Sequence, residues 1–311
     1  MVKLLGSSSS CRCICLPSAY AIPVQRSYNG YPVETIEQNP DGDRLIILLH
    51  GFGASTFSWR TIAGHLATMG HVIAYDRPGF GFTPLVSRNV TPDPYSLEGQ
   101  VQLLSAVIAA EARGRDVILL GHSSGGLVAA EYALRFPQTI KGLILESPAI
   151  WRKPPIPNWV NRVLSVPSLE KLADRLLGSF DKAGMKILRD SFWDQHNLTQ
   201  YIIDGYRAPM EQASWKVSLW RFMTASQRSR VRSRLANFEV PVFVITGDHD
   251  VIIKVEDTFK VTERIPGHSI YVVPNASHLA HEEHPDDFMR VVRRFIERVS
   301  PSGISPSSTS R

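Results

Sequence analysis

The chain has 311 residues, enough for one large α/β domain or two small ones. Hydrophobic residues make up 43% and charged residues 20%, which is ordinary for a globular domain, and no apolar stretch reaches the ~18 residues that a transmembrane helix needs. The net charge of +5 comes without any recognisable nucleic-acid module. All three cysteines (Cys11, Cys13 and Cys15) precede the folded part, so a disulfide inside it is excluded.

Residues 1–30 read as a leader or tail. They are rich in serine, carry Lys3, Arg12 and Arg26, and no acid appears before Glu34. That composition suits an organelle transit peptide. Ala19-Tyr20-Ala21 resembles a secretory cleavage site, but Pro17 and the run Ser7–Ser10 interrupt any apolar core before it. Cysteine palmitoylation and a plain disordered tail are further options. An organelle or the cytoplasm is expected over secretion. Cys-x-Cys-x-Cys has no nearby histidine or fourth cysteine, so neither a metal nor an organic cofactor is expected.

Strand signals fall near 24–28, 31–37, 45–50, 71–76, 116–121, 141–146, 241–246 and 269–273. Helical segments include 55–69, 97–112, 124–136 and 286–299. This alternation predicts an α/β fold with a mostly parallel, eight-stranded, doubly wound sheet built from residues 31–149 and 238–299. Between them, residues 150–237 open with Pro154-Pro155-Ile156-Pro157 and continue in amphipathic helical runs without a clear strand. Residues 300–311 are rich in serine and proline and read as disordered.

Residues 121–126, Gly-His-Ser-Ser-Gly-Gly, lie between the apolar run Val117–Leu120 and the helical run Leu127–Leu134. This is a nucleophile elbow, with Ser123 at the apex of a strand-to-helix turn. A serine hydroxyl needs an adjacent base that is itself oriented by an acid. Two later strands each run into titratable residues. One ends in Gly247-Asp248-His249-Asp250, and the other in Pro274-Asn275-Ala276-Ser277-His278.

The chain resembles the capped branch of the α/β-hydrolase fold, which holds esterases, lactonases, carbon–carbon bond hydrolases and dehalogenases. Four segments carry the resemblance, in the family's order. They are His50-Gly51-Phe52-Gly53, Asp76-Arg77-Pro78-Gly79-Phe80-Gly81, the elbow, and Ser277-His278-Leu279-Ala280-His281-Glu282-Glu283-His284-Pro285. The resemblance implies Ser123 as nucleophile, His278 as general base and Asp250 as the acid, with Asp248 as the fallback. The family's other acid site, after the sixth strand, reads Leu145-Glu146-Ser147-Pro148 and offers no aspartate. His281 and His284 belong to the following helix start. The oxyanion hole is expected from the backbone N–H groups of Phe52 and Ser124. His50, Asp76 and Arg77 read as structural holders of their loops.

The insertion at 150–237 corresponds to the family's helical cap. It holds five of the six tryptophans, Trp151, Trp159, Trp193, Trp215 and Trp220. Trp151, Trp193, Trp215 and Trp220 are candidate substrate contacts, and an aromatic roof favours an apolar acyl or ring substrate. Residues 151–236 carry 15 Lys and Arg against 7 Asp and Glu, most densely at Arg228, Arg230, Arg232 and Arg234. That excess is either a solvated face or a surface for anionic lipid. The implied function is hydrolysis of a carboxylic ester or thioester of an apolar small molecule or lipid. Carbon–carbon bond hydrolysis, acyl transfer and a non-catalytic receptor are the alternatives, and oligomeric state is left open.

Overall fold

The computed structural model describes residues 23–151, 166–170, 177 and 180–301. Residues 1–22 of the expected leader, the proline-rich opening of the insertion with Trp159, and residues 302–311 lie outside the described residues, while Val24–Tyr28, expected within the disordered leader, instead forms a strand of the sheet.

Eight strands form one sheet. They are β1 (Val24–Tyr28), β2 (Tyr31–Gln38), β3 (Arg44–Leu49), β4 (His71–Tyr75), β5 (Asp116–His122), β6 (Gly142–Glu146), β7 (Val242–Gly247) and β8 (Ser269–Val273). Their spatial order is β1-β2-β4-β3-β5-β6-β7-β8. The β1/β2 and β2/β4 pairs are antiparallel, and the remaining neighbours are parallel. All six residues of β3 are buried, as expected for a parallel strand covered on both faces.

Side chains alternate across the sheet with the period of two that a pleated strand imposes. Leu45, Ile47, Leu49, Val117, Leu119, Val242 and Val244 pack on one side with α2 (Leu97–Glu111) and α3 (Ser124–Arg135). Ile46, Leu48, Ile118, Leu120, Phe243 and Ile245 face the other side. The segment expected as one helix over 55–69 is instead a 3₁₀ turn at Thr56–Thr61 followed by α1 (Ala63–Ala67). The break has a cause: Thr56 N–H is drawn to Asp76 Oδ1 at 2.6 Å, and the tighter turn buries every residue from Thr56 to Arg60.

Between β6 and β7 the described residues form helices α4 (Pro167–Glu170), α5 (Phe180–Asp190), α6 (Gln200–Arg207), α7 (Trp215–Thr224) and α8 (Val231–Arg234). They rest on the core through two apolar clusters. Trp215, Leu219, Trp220 and Phe222 of α7 meet Phe80 and Tyr95, and Phe52 packs against them. Leu188, Phe192 and Tyr206 meet Ala54, Phe57 and Leu279. After β7 come α9 (Val255–Thr262), α10 (Ala280–Glu283) and α11 (Pro285–Val299). In α11 the buried residues Phe288, Val291, Val292, Phe295 and Ile296 trace one helical stripe against the sheet.

Candidate active site

The strand order reverses direction between β3 and β5, and at such a switch point the loops leaving the strands' carboxyl ends diverge into a crevice. The loops after β3, β5, β7 and β8 carry Phe52, Ser123, Asp250 and His278.

Ser123 has φ +53° and ψ −116°, a conformation that costs about 1–3 kcal/mol for a residue with a β-carbon. The surrounding backbone holds it there. Ser123 N–H donates to Glu146 O at 2.9 Å, and its carbonyl accepts from Ala149 N–H at 3.0 Å and Leu127 N–H at 3.2 Å. Glycines make the close approach possible. A β-carbon on Gly125 would lie 2.1 Å from Leu49 O, and one on Gly121 would lie 2.7 Å from the Gly126 Cα. The start of α3 is thus pressed against the end of β3.

His278 Nδ1 is 2.8 Å from Asp250 Oδ2, and both side chains are buried. The other carboxylate oxygen accepts from Ile252 and Ile253 N–H, each at 2.9 Å. Burial alone would raise the Asp250 pKa. The His278 charge and hydrogen bond, with help from Ser147 and Ile253, outweigh it and hold the carboxyl below its ordinary range. Asp248, the fallback, points elsewhere: its Oδ1 meets His249 Nδ1 at 2.6 Å and Ala276 N–H at 3.2 Å.

The His278 loop is stitched down on several sides. His278 O accepts from His122 Nε2 at 3.0 Å. Ser277 Oγ donates to Asp190 O at 2.9 Å, and Leu279 N–H donates to Ser191 O at 3.2 Å. Glu283 accepts from Ser277 N–H at 2.7 Å with one oxygen and from Trp193 N–H at 2.7 Å with the other. The segment between β6 and β7 and the His278 loop therefore share their supports.

A second histidine–carboxylate pair lies beside the first. His281 is wholly buried, with Nδ1 2.7 Å from Glu146 Oε2 and Nε2 3.2 Å from Ser58 O. Burial lowers its pKa, but the Glu146 charge and hydrogen bond more than reverse this and leave it raised. Next to it, Glu282 accepts from Arg60 at 2.5 Å and from the Tyr206 hydroxyl of the cap. His122 is held neutral, far below its ordinary pKa, by burial and then by the neighbouring His278 and His281. Sequence reading missed Glu146 as a histidine partner and His122 as a support. A charged residue at the end of an otherwise apolar strand was the available signal for Glu146. His284 is half-buried, and its Nε2 is 2.8 Å from Asn275 O.

The candidate cap contacts separate into two groups. Trp215 and Trp220 are buried in the cluster that Phe52 joins. Trp193 is 50% exposed and stacks on His249 with ring centroids 3.6 Å apart. Trp151 lies between the guanidinium groups of Arg232 at 3.7 Å and Arg264 at 4.7 Å. The structure brings the first pair together with the loop after β3 and leaves the second pair outside that cluster. Of the basic run, Arg228, Arg230 and Arg232 are exposed, while Arg234 donates to Leu134 O at 3.1 Å. Among the described residues, one group offers three close metal-ligating atoms: Glu37, His71 and Glu111. It lies at the opposite end of the parallel strands, and Arg26 already bonds both glutamates. Among the described residues no helix is long and apolar enough to cross a membrane.

A family model described as "Serine aminopeptidase, S33" matches residues 40–285. The chain belongs to this family of α/β hydrolases. It is a hydrolase enzyme. Its relatives include the 1-acylglycerol-3-phosphate O-acyltransferase ABHD5 of Sus scrofa, 28% identical over 92% of this chain and 87% of that protein. Another is the pimeloyl-[acyl-carrier protein] methyl ester esterase of Aeromonas hydrophila, 26% identical over 85% of this chain and 98% of that protein. Among solved structures, a thermophilic esterase from Thermogutta terrifontis superposes with a TM-score of 0.71 at 20% identity, covering 90% of this chain and 99% of that one. This last likeness speaks for the fold alone.

Proposed function

We propose that this hydrolase cleaves a carboxylic ester or thioester of an apolar small molecule or lipid through an acyl-enzyme on Ser123. The observation that carries the reading is the buried Asp250–His278 pair on loops beside a strained, glycine-flanked serine. Ser123 Oγ attacks the substrate carbonyl while His278 Nε2 takes its proton. The N–H groups of Phe52 and Ser124 hold the oxyanion; Ser124 opens α3, where the first N–H groups have no partner within the helix. His278 then protonates the departing alcohol or thiol, activates water, and the acyl group leaves as a carboxylic acid. Asp250 stays ionised and supports the imidazolium. A serine nucleophile disfavours the alkyl-ester chemistry of dehalogenases and epoxide hydrolases, which needs a carboxylate there.

Two apolar clusters between the β6–β7 insertion and the core support an apolar substrate: Phe52, Trp215, Trp220 and Phe222 belong to one, and Phe57, Tyr206 and Leu279 to the other. Transfer of the acyl group to an alcohol is a second reading, favoured by the acyltransferase named among the relatives. Turnover of p-nitrophenyl esters graded from acetyl to palmitoyl, with and without a lysolipid acceptor, tests both. Rising kcat/KM with chain length, blunted in Trp220→Ala, supports an apolar acyl site. An acylated lysolipid formed in place of free acid selects transfer. No turnover of any ester or thioester by the folded enzyme overturns both readings.

A further inference from the structure

Arg77 follows β4 and is 1% exposed, yet among the described residues no carboxylate pairs with it. The neighbouring Asp76 spends its oxygens on the N–H groups of Thr56 and Phe82. The guanidinium donates to Gln100 Oε1 and, at 2.8 Å, to Ser124 Oγ, and its Nε is buried without a hydrogen-bond partner. Burial pushes its pKa down to about 10, so it remains a cation at neutral pH. A buried, carboxylate-free cation is costly, and its position identifies what the cost maintains.

We infer that Arg77 is a positioning residue that sets both donors of the oxyanion hole, an inference that rests on the serine-hydrolase reading above. One arm is the guanidinium on Ser124 Oγ, which fixes the first residue of α3, whose N–H is the donor nearest the nucleophile. The other arm is the backbone. Arg77 N–H donates to His50 Nε2 at 3.0 Å. That bond places the His50 proton on Nδ1, which donates to Gly51 O at 2.8 Å. The Gly51–Phe52 peptide is planar and trans, so holding its carbonyl toward His50 turns the Phe52 N–H to the opposite side. This peptide borders the nucleophile: a β-carbon on Gly51 would lie 3.3 Å from Ser123 Cβ. One residue thus ties the loop after β3 to the start of α3.

The guanidinium arm can be cut from either end. Arg77→Met removes the guanidinium and keeps the backbone N–H, while Ser124→Ala removes only the acceptor and keeps the amide. Each should lower kcat on a p-nitrophenyl ester about tenfold, short of the roughly 10²–10³-fold cost of losing a whole oxyanion donor. KM should stay within about twofold, and the double variant should be no slower than Arg77→Met alone. Affinity for an alkyl boronic acid, which mimics the tetrahedral intermediate, should fall in step with kcat. Should Arg77→Met fail to fold, Ser124→Ala carries the same test alone. Wild-type kcat in the folded variants, or losses that multiply in the double variant, overturns the claim that Arg77 sets both donors while leaving the hydrolase reading intact. A folded wild type without ester turnover overturns both.

Discussion

Two histidine–carboxylate pairs, His278–Asp250 and His281–Glu146, have their histidines three residues apart in sequence and similar separations of 2.8 and 2.7 Å. Pairing alone therefore does not make a base. The difference lies at the second ring nitrogen. In His281 it is buried against Ser58 O at 3.2 Å and Ser58 Oγ at 3.0 Å, so both nitrogens face oxygens and the surroundings favour the protonated ring, whose pKa is raised. In His278 the carboxylate takes Nδ1, and Nε2 is the nitrogen that the proposed mechanism uses on Ser123. In the proposed mechanism the first pair exchanges a proton, while the second holds its ring between buried oxygens.

Substitutions that treat the pairs alike should separate them. The largest effects fall on the first pair and the nucleophile. Ser123→Ala and His278→Ala should abolish nearly all ester turnover, and Asp250→Asn should lower kcat about 10⁴-fold while Asp248→Asn changes it little. A severe Asp248→Asn with a mild Asp250→Asn would reassign the acid.

On the second pair the loss should appear in stability. Glu146→Gln leaves a buried imidazole without its counter-charge and should cost about 3–5 kcal/mol in chemical denaturation. The folded fraction should keep a kcat close to wild type. This pair also sets a pH trend. His281 binds its proton more tightly in the folded protein than at the ordinary value of 6.5, chiefly because Glu146 overcomes the effect of burial, with Glu282 adding to it and Arg60 opposing. Its contribution is therefore complete below pH 6.5 and is lost as pH rises through the raised value. The melting temperature of the wild type should fall on that alkaline side, and Glu146→Gln should flatten the fall. A fall of equal size in both proteins would remove this pair as its source.

The smallest effect concerns the surface far from either pair. If the exposed Arg228, Arg230 and Arg232 meet anionic lipid, neutralising them should weaken sedimentation with phosphatidylserine vesicles and leave hydrolysis of a short soluble ester unchanged. Equal sedimentation of wild type and variant would remove the membrane from the account.

Much of this was legible in the sequence because it is written locally. Runs such as Leu45–Leu49 and Val117–Leu120 are long enough in apolar residues to declare buried parallel strands, and the glycines around Ser123 declare a turn that tolerates no β-carbon. Asp250 and His278 could be picked out as candidates because each follows a strand end, and the structure pairs their side chains. The rest depends on directions set by tertiary packing. Glu146 and His281 are 135 residues apart, and nothing in either segment names the other. The same holds for Arg77 and Ser124, and for the cap tryptophans. Trp220 and Trp193 are alike in sequence, yet one is buried beside Phe52's cluster and the other lies open on His249.

The central claim is that Ser123 is activated. Reaction with a fluorophosphonate probe, followed by mass-spectrometric mapping in wild type and in Ser123→Ala, tests it most directly. The account predicts a single modified residue, Ser123, and no labelling of the variant. Folded wild-type protein that stays unlabelled, or that is labelled at another serine, would contradict it.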